Sequence, residues 1–247
     1  MTQEAQDRRR HFHQELDLLQ ERLMTMAGMA EQLVGEAFQA VEQKDRTAAK
    51  GIRAKDGAID DLEMEIEEQV TELLALHQPV ATDLRQVISA LKMSNDLERV
   101  GDHAVNIARA AKRLSKAPPI PETRELAEMA VIARAMLSDA LAAYIARDVG
   151  TAHVVCLTDD KVDDLRRSLF RIVLTYMLEE PRMISGALEI LRISQSLERI
   201  ADLATNIAED VVFLVQGKSG KHGRMESLAD HDSGEDDSDD DDTDIAD

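Results

Sequence analysis

The stretch Leu97-Glu98-Arg99-Val100-Gly101-Asp102 returns one hundred residues later as Leu197-Glu198-Arg199-Ile200-Ala201-Asp202. The match extends outward through Leu91/Leu191, Ser94/Ser194, Ala104/Ala204, Asn106/Asn206, Ile107/Ile207 and Ala108/Ala208. Solenoid repeats run to roughly 20–50 residues, so this spacing points to a duplicated domain. Each copy carries an acid pair, Glu98/Asp102 or Glu198/Asp202, at i and i+4. On a helix that spacing sets both carboxylates on one face, about one turn apart.

The chain reads as helical throughout. Aromatic residues make up 2% of it and tryptophan is absent, so the core must be aliphatic, and the abundance of Ala, Leu, Glu, Arg and Met favours helix over strand. Apolar periodicity predicts helices over 12–43, 47–76, 80–115, 121–147, 151–178 and 182–215, with residues 1–10 polar and frayed. Asp45 or Thr47 is the expected cap of the second helix, Pro121 stands near the first position of the fourth, Asp148-Val149-Gly150 is a turn, and Gly217 ends the sixth. The run Lys116-Ala117-Pro118-Pro119-Ile120-Pro121 is the strongest break. Short loops make successive helices antiparallel neighbours. The expected architecture is all-α, with two tandem pseudo-symmetric three-helix bundles at 1–116 and 121–217 and a disordered acidic tail at 218–247.

That tail holds 3 basic and 12 acidic residues, and so −9 of the net charge of −20. A body this acidic repels phosphates, which argues against nucleic acid and for cations or basic protein surfaces as partners. The single cysteine, Cys156, permits no intrachain disulfide; it reads as a small buried thiol and fits a cytoplasmic chain. The N-terminal residues lack the apolar core of a signal peptide, and no run of about 18 apolar residues suggests a membrane span.

Helices three and six share a heptad stripe, Met93, Leu97, Val100, Ala104, Ile107, Ala111 and Leu114 against Ile193, Leu197, Ile200, Ala204, Ile207, Val211 and Leu214. Glu98, Asp102 and Asn106 lie well away from this stripe, as do Glu198, Asp202 and Asn206, so each set forms a polar ridge on the outer side of its bundle. Counting back from the preceding turn places Asp56 and Asp60 level with the first pair, and Asp159 and Asp163 level with the second. Four carboxylates per half should then converge, each raising the others' pKa unless a multivalent cation neutralises them. Oxygen ligands suit Mg²⁺, Ca²⁺, Mn²⁺ or iron, and no histidine recurs in both copies to suggest zinc. One such ridge alone is an ordinary solvated face; its repetition with a facing pair favours metal. Arg99 and Arg199 are either surface ion-pair partners or contacts to an anion near the metal.

Two copies of L-E-R-[IV]-[GA]-D-x-A-x-N-I-A, each closing a three-helix repeat, resemble the PhoU family of bacterial phosphate-signalling regulators. Gln78-Pro79-Val80-Ala81-Thr82-Asp83-Leu84-Arg85 also matches that family's first-repeat turn. The resemblance covers about residues 12–217. It implies multinuclear metal clusters (Fe, Mn or Mg) on Glu98, Asp102, Glu198 and Asp202; Asp56, Asp60, Asp159 and Asp163 rest on the counting. It further implies a cytoplasmic negative regulator that links the ATPase subunit of the Pst phosphate transporter to a two-component sensor histidine kinase, often as a homodimer. The second copy departs from the first in carrying Ala201 and Leu203 where the first has Gly101 and His103.

The expected role is a metal-binding adaptor that performs no chemistry. No Gly-rich phosphate loop and no paired nucleophile and base are evident. Three alternatives stand beside it: a transporter accessory without a kinase partner, a structural helical scaffold without metal, and a di-iron carboxylate enzyme. The last needs Glu-x-x-His on two helices, and Gly101 and Ala201 occupy the histidine positions.

Overall fold

A computed structural model describes residues 3–121 and 124–217, with side chains from Arg10 onward. The expected acidic tail, 218–247, lies outside the described residues. Among the described residues six long helices follow one another: α1 (Gln3–Glu42), α2 (Ala48–His77), α3 (Ala81–Leu114), α4 (Arg124–Ala146), α5 (Val149–Glu179) and α6 (Ile184–Gln216). A single 3₁₀ turn, Pro181–Met183, leads into α6.

The ends of the helices show how local chemistry sets them. The helix expected from residue 12 begins at Gln3, so the polar N-terminal stretch extends α1. Residues such as Glu, Gln and Arg are good helix formers, and polarity alone does not end a helix. Thr47 occupies the N-cap of α2 without a side-chain cap bond; Asp45 Oδ1 instead accepts from the Thr47 backbone N–H at 2.7 Å. Asp148 caps α5, accepting from the N–H groups of Gly150 at 2.9 Å and Thr151 at 3.3 Å. The expected turn at 148–150 is therefore already the first turn of α5. Gly217 ends α6 at φ 70°, a left-handed conformation that glycine adopts without a Cβ penalty.

The helices α1–α3 form one bundle and α4–α6 the other. The heptad stripes of α3 and α6 are buried along their length, with Leu114 alone partly open. Both helices also bury residues off the stripe: Gly101, Val105 and Ala108 on α3, and Ala201, Leu203, Ala208 and Val212 on α6. This second apolar face exists because α3 packs on α6, and α1 also touches α4. The two bundles thereby share one continuous aliphatic core. Ser94 and Ser194, buried in it, satisfy their hydroxyls on the carbonyls of Leu91 at 2.8 Å and Leu191 at 2.9 Å.

The helix α4 is long and apolar enough by length and composition to cross a membrane. One face of it, with Leu126, Met129, Ala133, Leu137 and Tyr144, is buried in the core, while Val131 and Ile145 on the other side are exposed, as in an amphipathic helix at the edge of a bundle. Cys156 is half-buried against that core, and burial, then Glu209 and Asp159, push its thiol up to about 11.

Between the bundles, Lys92 Nζ donates to Asp210 Oδ1 at 2.7 Å, and Arg113 Nε donates to Glu189 Oε2 at 2.8 Å. Asp210 and Glu189 are both 8% exposed, so these cations hold carboxylates that water scarcely reaches. Lys92→Ala should lower the unfolding free energy by about 1–3 kcal/mol, measured by urea denaturation.

Candidate functional site

The two interbundle ion pairs set the register of α3 on α6. Lys92 meets Asp210 and Arg113 meets Glu189, so the helices run antiparallel. In that register Gly101 stands level with Ala201. The two repeated motifs, far apart in sequence, are side by side at the middle of the seam.

In the first half, α2 brings Asp56 and Asp60 against Glu98 and Asp102 of α3. Asp60 and Asp102 are exposed and Glu98 is half-buried, while Asp56 is 8% exposed. Asp56 Oδ1 is buried without a hydrogen-bond partner. Burial, then the charges of Asp60 and Asp102, push the Asp56 carboxyl up to about 6. Burial, then Asp102, Glu63, Asp60 and Asp56, do the same to Glu98. All four acids thus share one patch, joined by Glu63. Gly101 makes the depth of Asp56 possible: a Cβ there would stand 2.6 Å from Asp56 Oδ1 and 3.3 Å from Ile59 Cδ1.

The second half places Asp159 and Asp163 of α5 against Glu198 and Asp202 of α6. Burial, then Asp202, Asp163, Asp160 and Glu198, push Asp159 up to about 6. Here arginines intervene. Arg166 Nη1 donates to Glu198 Oε1 at 3.1 Å, and Arg199 Nη1 donates to Asp202 Oδ2 at 3.0 Å. Burial raises Glu198, and Arg166 opposes that rise. Ala201 replaces the glycine, and Asp159 is half-buried where Asp56 is buried. The two patches share a plan and differ in charge balance.

Between them lies a shallow cleft of about 350 Å³ lined by Arg99, Arg199, Asp202 and Asn206 among others. Arg99 also lies 3.7 Å from Asp96. Asn206 hydrogen-bonds Asp96 across the seam, and Asn106 accepts from Arg109 at 3.4 Å. His103 sits under the influence of Arg99, Asp102, Arg199 and Asp202 together. Burial, then Arg99, lowers its pKa, and its Nδ1 is buried without a partner. Glu63, Arg166 and His103 were not among the residues expected at the site. Glu63 follows Asp56 and Asp60 on the same helical ridge, and Arg166 stands one turn beyond Asp163, so helical spacing could have drawn attention to both. The position of His103 on a seam between repeats carries no sequence signal.

Among the described residues, no three His, Cys, Asp or Glu side chains are gathered tightly enough to hold one metal ion. The first patch nonetheless fits a hard cation: its donors are all carboxylate oxygens, one of them buried and unpartnered, and Asp56 and Glu98 are pushed up by burial and then by neighbouring carboxylates. The second fits only if Arg166 and Arg199 release Glu198 and Asp202.

The raised carboxyls have a thermodynamic consequence. A folded-state pKa above the unfolded value of about 4 favours folding below that value, and the benefit is lost as pH rises through about 6, where Asp56, Glu98 and Asp159 titrate. Chelator-treated protein should therefore melt at a higher temperature at pH 5 than at pH 7. Asp56→Asn should flatten that dependence, and Gly101→Ala, which displaces the same carboxyl, should flatten it likewise; calorimetry across this range checks both.

Comparison with known proteins gives the same picture of a repeated unit. The family model described as "PhoU domain" matches twice, at residues 23–111 and 126–211. A Clostridium acetobutylicum protein named a phosphate-specific transport system accessory protein PhoU homolog is 38% identical over 211 residues, covering 85% of this chain and 96% of that one. The crystal structure of PhoU from Pseudomonas aeruginosa superposes with a TM-score of 0.81 at 38% identity, over 84% of this chain and all of the other. That of the phosphate transport system regulatory protein PhoU from Streptococcus pneumoniae gives a TM-score of 0.78 at 31% identity, over 84% of this chain and 98% of that one. With both halves matched over most of their length, the chain belongs to the PhoU family.

Proposed function

We propose that this protein regulates phosphate transport as a non-enzymatic adaptor whose paired carboxylate patches bind metal. Its relatives are named accessory and regulatory proteins of phosphate transport, which supports the regulatory role. The observation that carries the metal reading is the orphaned Asp56 oxygen within a patch of four mutually repelling acids. A cation bound there would cancel that repulsion and tie α2 to α3.

In this reading Asp56, Asp60, Glu98 and Asp102 bind first. Asp159, Asp163, Glu198 and Asp202 form a second, weaker site gated by Arg166 and Arg199. Arg99, Arg199, Asn106 and Asn206 flank the ligands. The protein works in the cytoplasm, as a homodimer, between the ATPase subunit of a phosphate ABC transporter and a sensor histidine kinase, and it represses the phosphate-starvation response; neither nucleic acid nor a membrane span has a part in it. The di-iron alternative is disfavoured because Gly101 and Ala201 stand where Glu-x-x-His would need histidine, and because Asp60, Asp102 and Asp163 are exposed. A transporter accessory without a kinase partner is the nearest competing role.

A starvation-responsive reporter tests the assignment in a strain lacking its own copy of this protein. The wild-type chain should silence the reporter in high phosphate, and Glu98→Ala/Asp102→Ala should leave it active at equal protein abundance. Silencing by both would remove the first patch from signalling. Silencing by neither, with the wild-type chain still co-purifying with the transporter ATPase, would favour the accessory role.

A further inference from the structure

Among the described residues, an arginine-lined cleft of about 610 Å³ lies between α5 and α6, bordered by Arg166, Arg167, Arg171, Arg192, Phe170 and Leu188 among others. Arg166 and Arg167 are paired to Glu198 and Asp164. Arg171 and Arg192 are exposed, and their guanidinium groups make no ion pair or hydrogen bond with another described residue. Phe170 is 52% exposed and Leu188 46%, so the cleft offers apolar floor beside free guanidinium groups.

The first repeat shows that this charge is not imposed by the fold. Laying Asp159 on Asp56 sets Arg166, Arg167, Phe170 and Arg171 on Glu63, Met64, Glu67 and Glu68. The surface of α2 there is a shallow cleft lined by Met64, Glu67, Glu68 and Glu72. The matching helix face is acidic on α2 and basic on α5, so an anionic segment would be drawn to the second and repelled by the first.

We propose that the arginine cleft between α5 and α6 is the docking site of this chain's own acidic C-terminal run, residues 235–244. That run reads Glu235-Asp236-Asp237-Ser238-Asp239-Asp240-Asp241-Asp242-Thr243-Asp244. It is followed by Ile245, an apolar residue suited to the Phe170 and Leu188 floor. The reach is sufficient. From the α6 residues of the cleft to Gly217 is about 38 Å of helix, while the chain from Gly217 to Glu235 can span up to about 60 Å. Tethering gives the tail a high effective concentration that an untethered acidic partner lacks. Carboxylates meeting guanidinium groups make charge-assisted hydrogen bonds that weaken with salt. The tail thereby acts as a built-in competitor: an acidic partner segment or polyanion must displace it to use the cleft. Because Arg166 bridges the cleft to Glu198, the bound tail also neighbours the second carboxylate patch. The inference stands whether or not that patch holds metal.

The test uses three full-length proteins: wild type, a variant with Asp236, Asp237, Asp239, Asp240, Asp241 and Asp242 replaced by asparagine, and that variant with Arg171→Glu/Arg192→Glu added. The probe is a fluorescently labelled peptide of residues 232–247, read by anisotropy at low and high salt, with circular dichroism to verify equal helicity. The asparagine variant should bind the peptide about tenfold or more tighter than wild type, whose cleft is already filled. Arg171→Glu/Arg192→Glu should abolish binding, and salt should weaken it. Equal binding to wild type and the asparagine variant, or binding unmoved by the arginine reversal, would overturn the proposal. So would a cleft that binds polyphosphate or anionic phosphatidylglycerol vesicles through Arg171 and Arg192 while ignoring the peptide.

Discussion

The antiparallel packing of α3 on α6 is the contact on which the rest of the structure depends. Each helix is buried on two sides, toward its own bundle through the heptad stripe and toward the other bundle through Val105 and Ala108 or Ala201 and Ala208. Small residues on the second face let the two axes approach, and Lys92–Asp210 and Arg113–Glu189 fix the register by neutralising carboxylates with little access to water. A slip of one helical turn would part both pairs and bury unpaired charge. The register in turn sets Gly101 level with Ala201, and with them the two acid-bearing motifs.

Duplication supplied two copies of one plan, and small changes have made them unequal. Gly101 allows Asp56 to sink beneath α3, where burial and its neighbours hold its pKa near 6. Ala201 stands at the matching place, and Arg166 and Arg199 have moved onto the acids of that half. Among the described residues no ion pair reaches Asp56, Asp60, Glu98 or Asp102, although Arg109 and Arg53 temper Asp56, whereas Arg166 and Arg199 pair with Glu198 and Asp202 in the second patch. The same divergence extends along the outer helices, where glutamates of α2 occupy the positions that arginines hold on α5. Two bundles built on one repeated plan thus present matching helix faces of opposite sign.

Much of this was legible in the sequence because helices make long, regular statements. The stripes of α3 and α6, the proline-rich break and the i, i+4 acids each follow from 3.6-residue periodicity, and counting back from the turns at Pro79 and Pro181 located Asp56, Asp60, Asp159 and Asp163 beside their partners. The packing between repeats was not read, although Ala108, Ala201, Leu203 and Val212 hinted at a second apolar face; a heptad reading follows only one stripe. The extension of α1 to Gln3 leaves no apolar periodicity, because its helix-forming residues there are polar. The ion pairs of Arg166 and Arg199 depend on rotamers, which spacing does not reveal, and His103 feels Arg199 and Asp202 of the other repeat, which only the packing of α3 on α6 brings near it.

The central claim is that the carboxylate patches are metal sites and that the first is the stronger. Metal content per chain after equilibration with Mn²⁺ and desalting tests it most directly, by mass spectrometry on the full-length protein, on Glu98→Ala/Asp102→Ala and on Glu198→Ala/Asp202→Ala. The tail is present in all three, so its own carboxylates contribute equally. The account predicts that the first variant loses most of the tightly held metal and the second loses less. Equal metal in all three proteins would contradict it, and would leave the repeated acids as surfaces for partners alone.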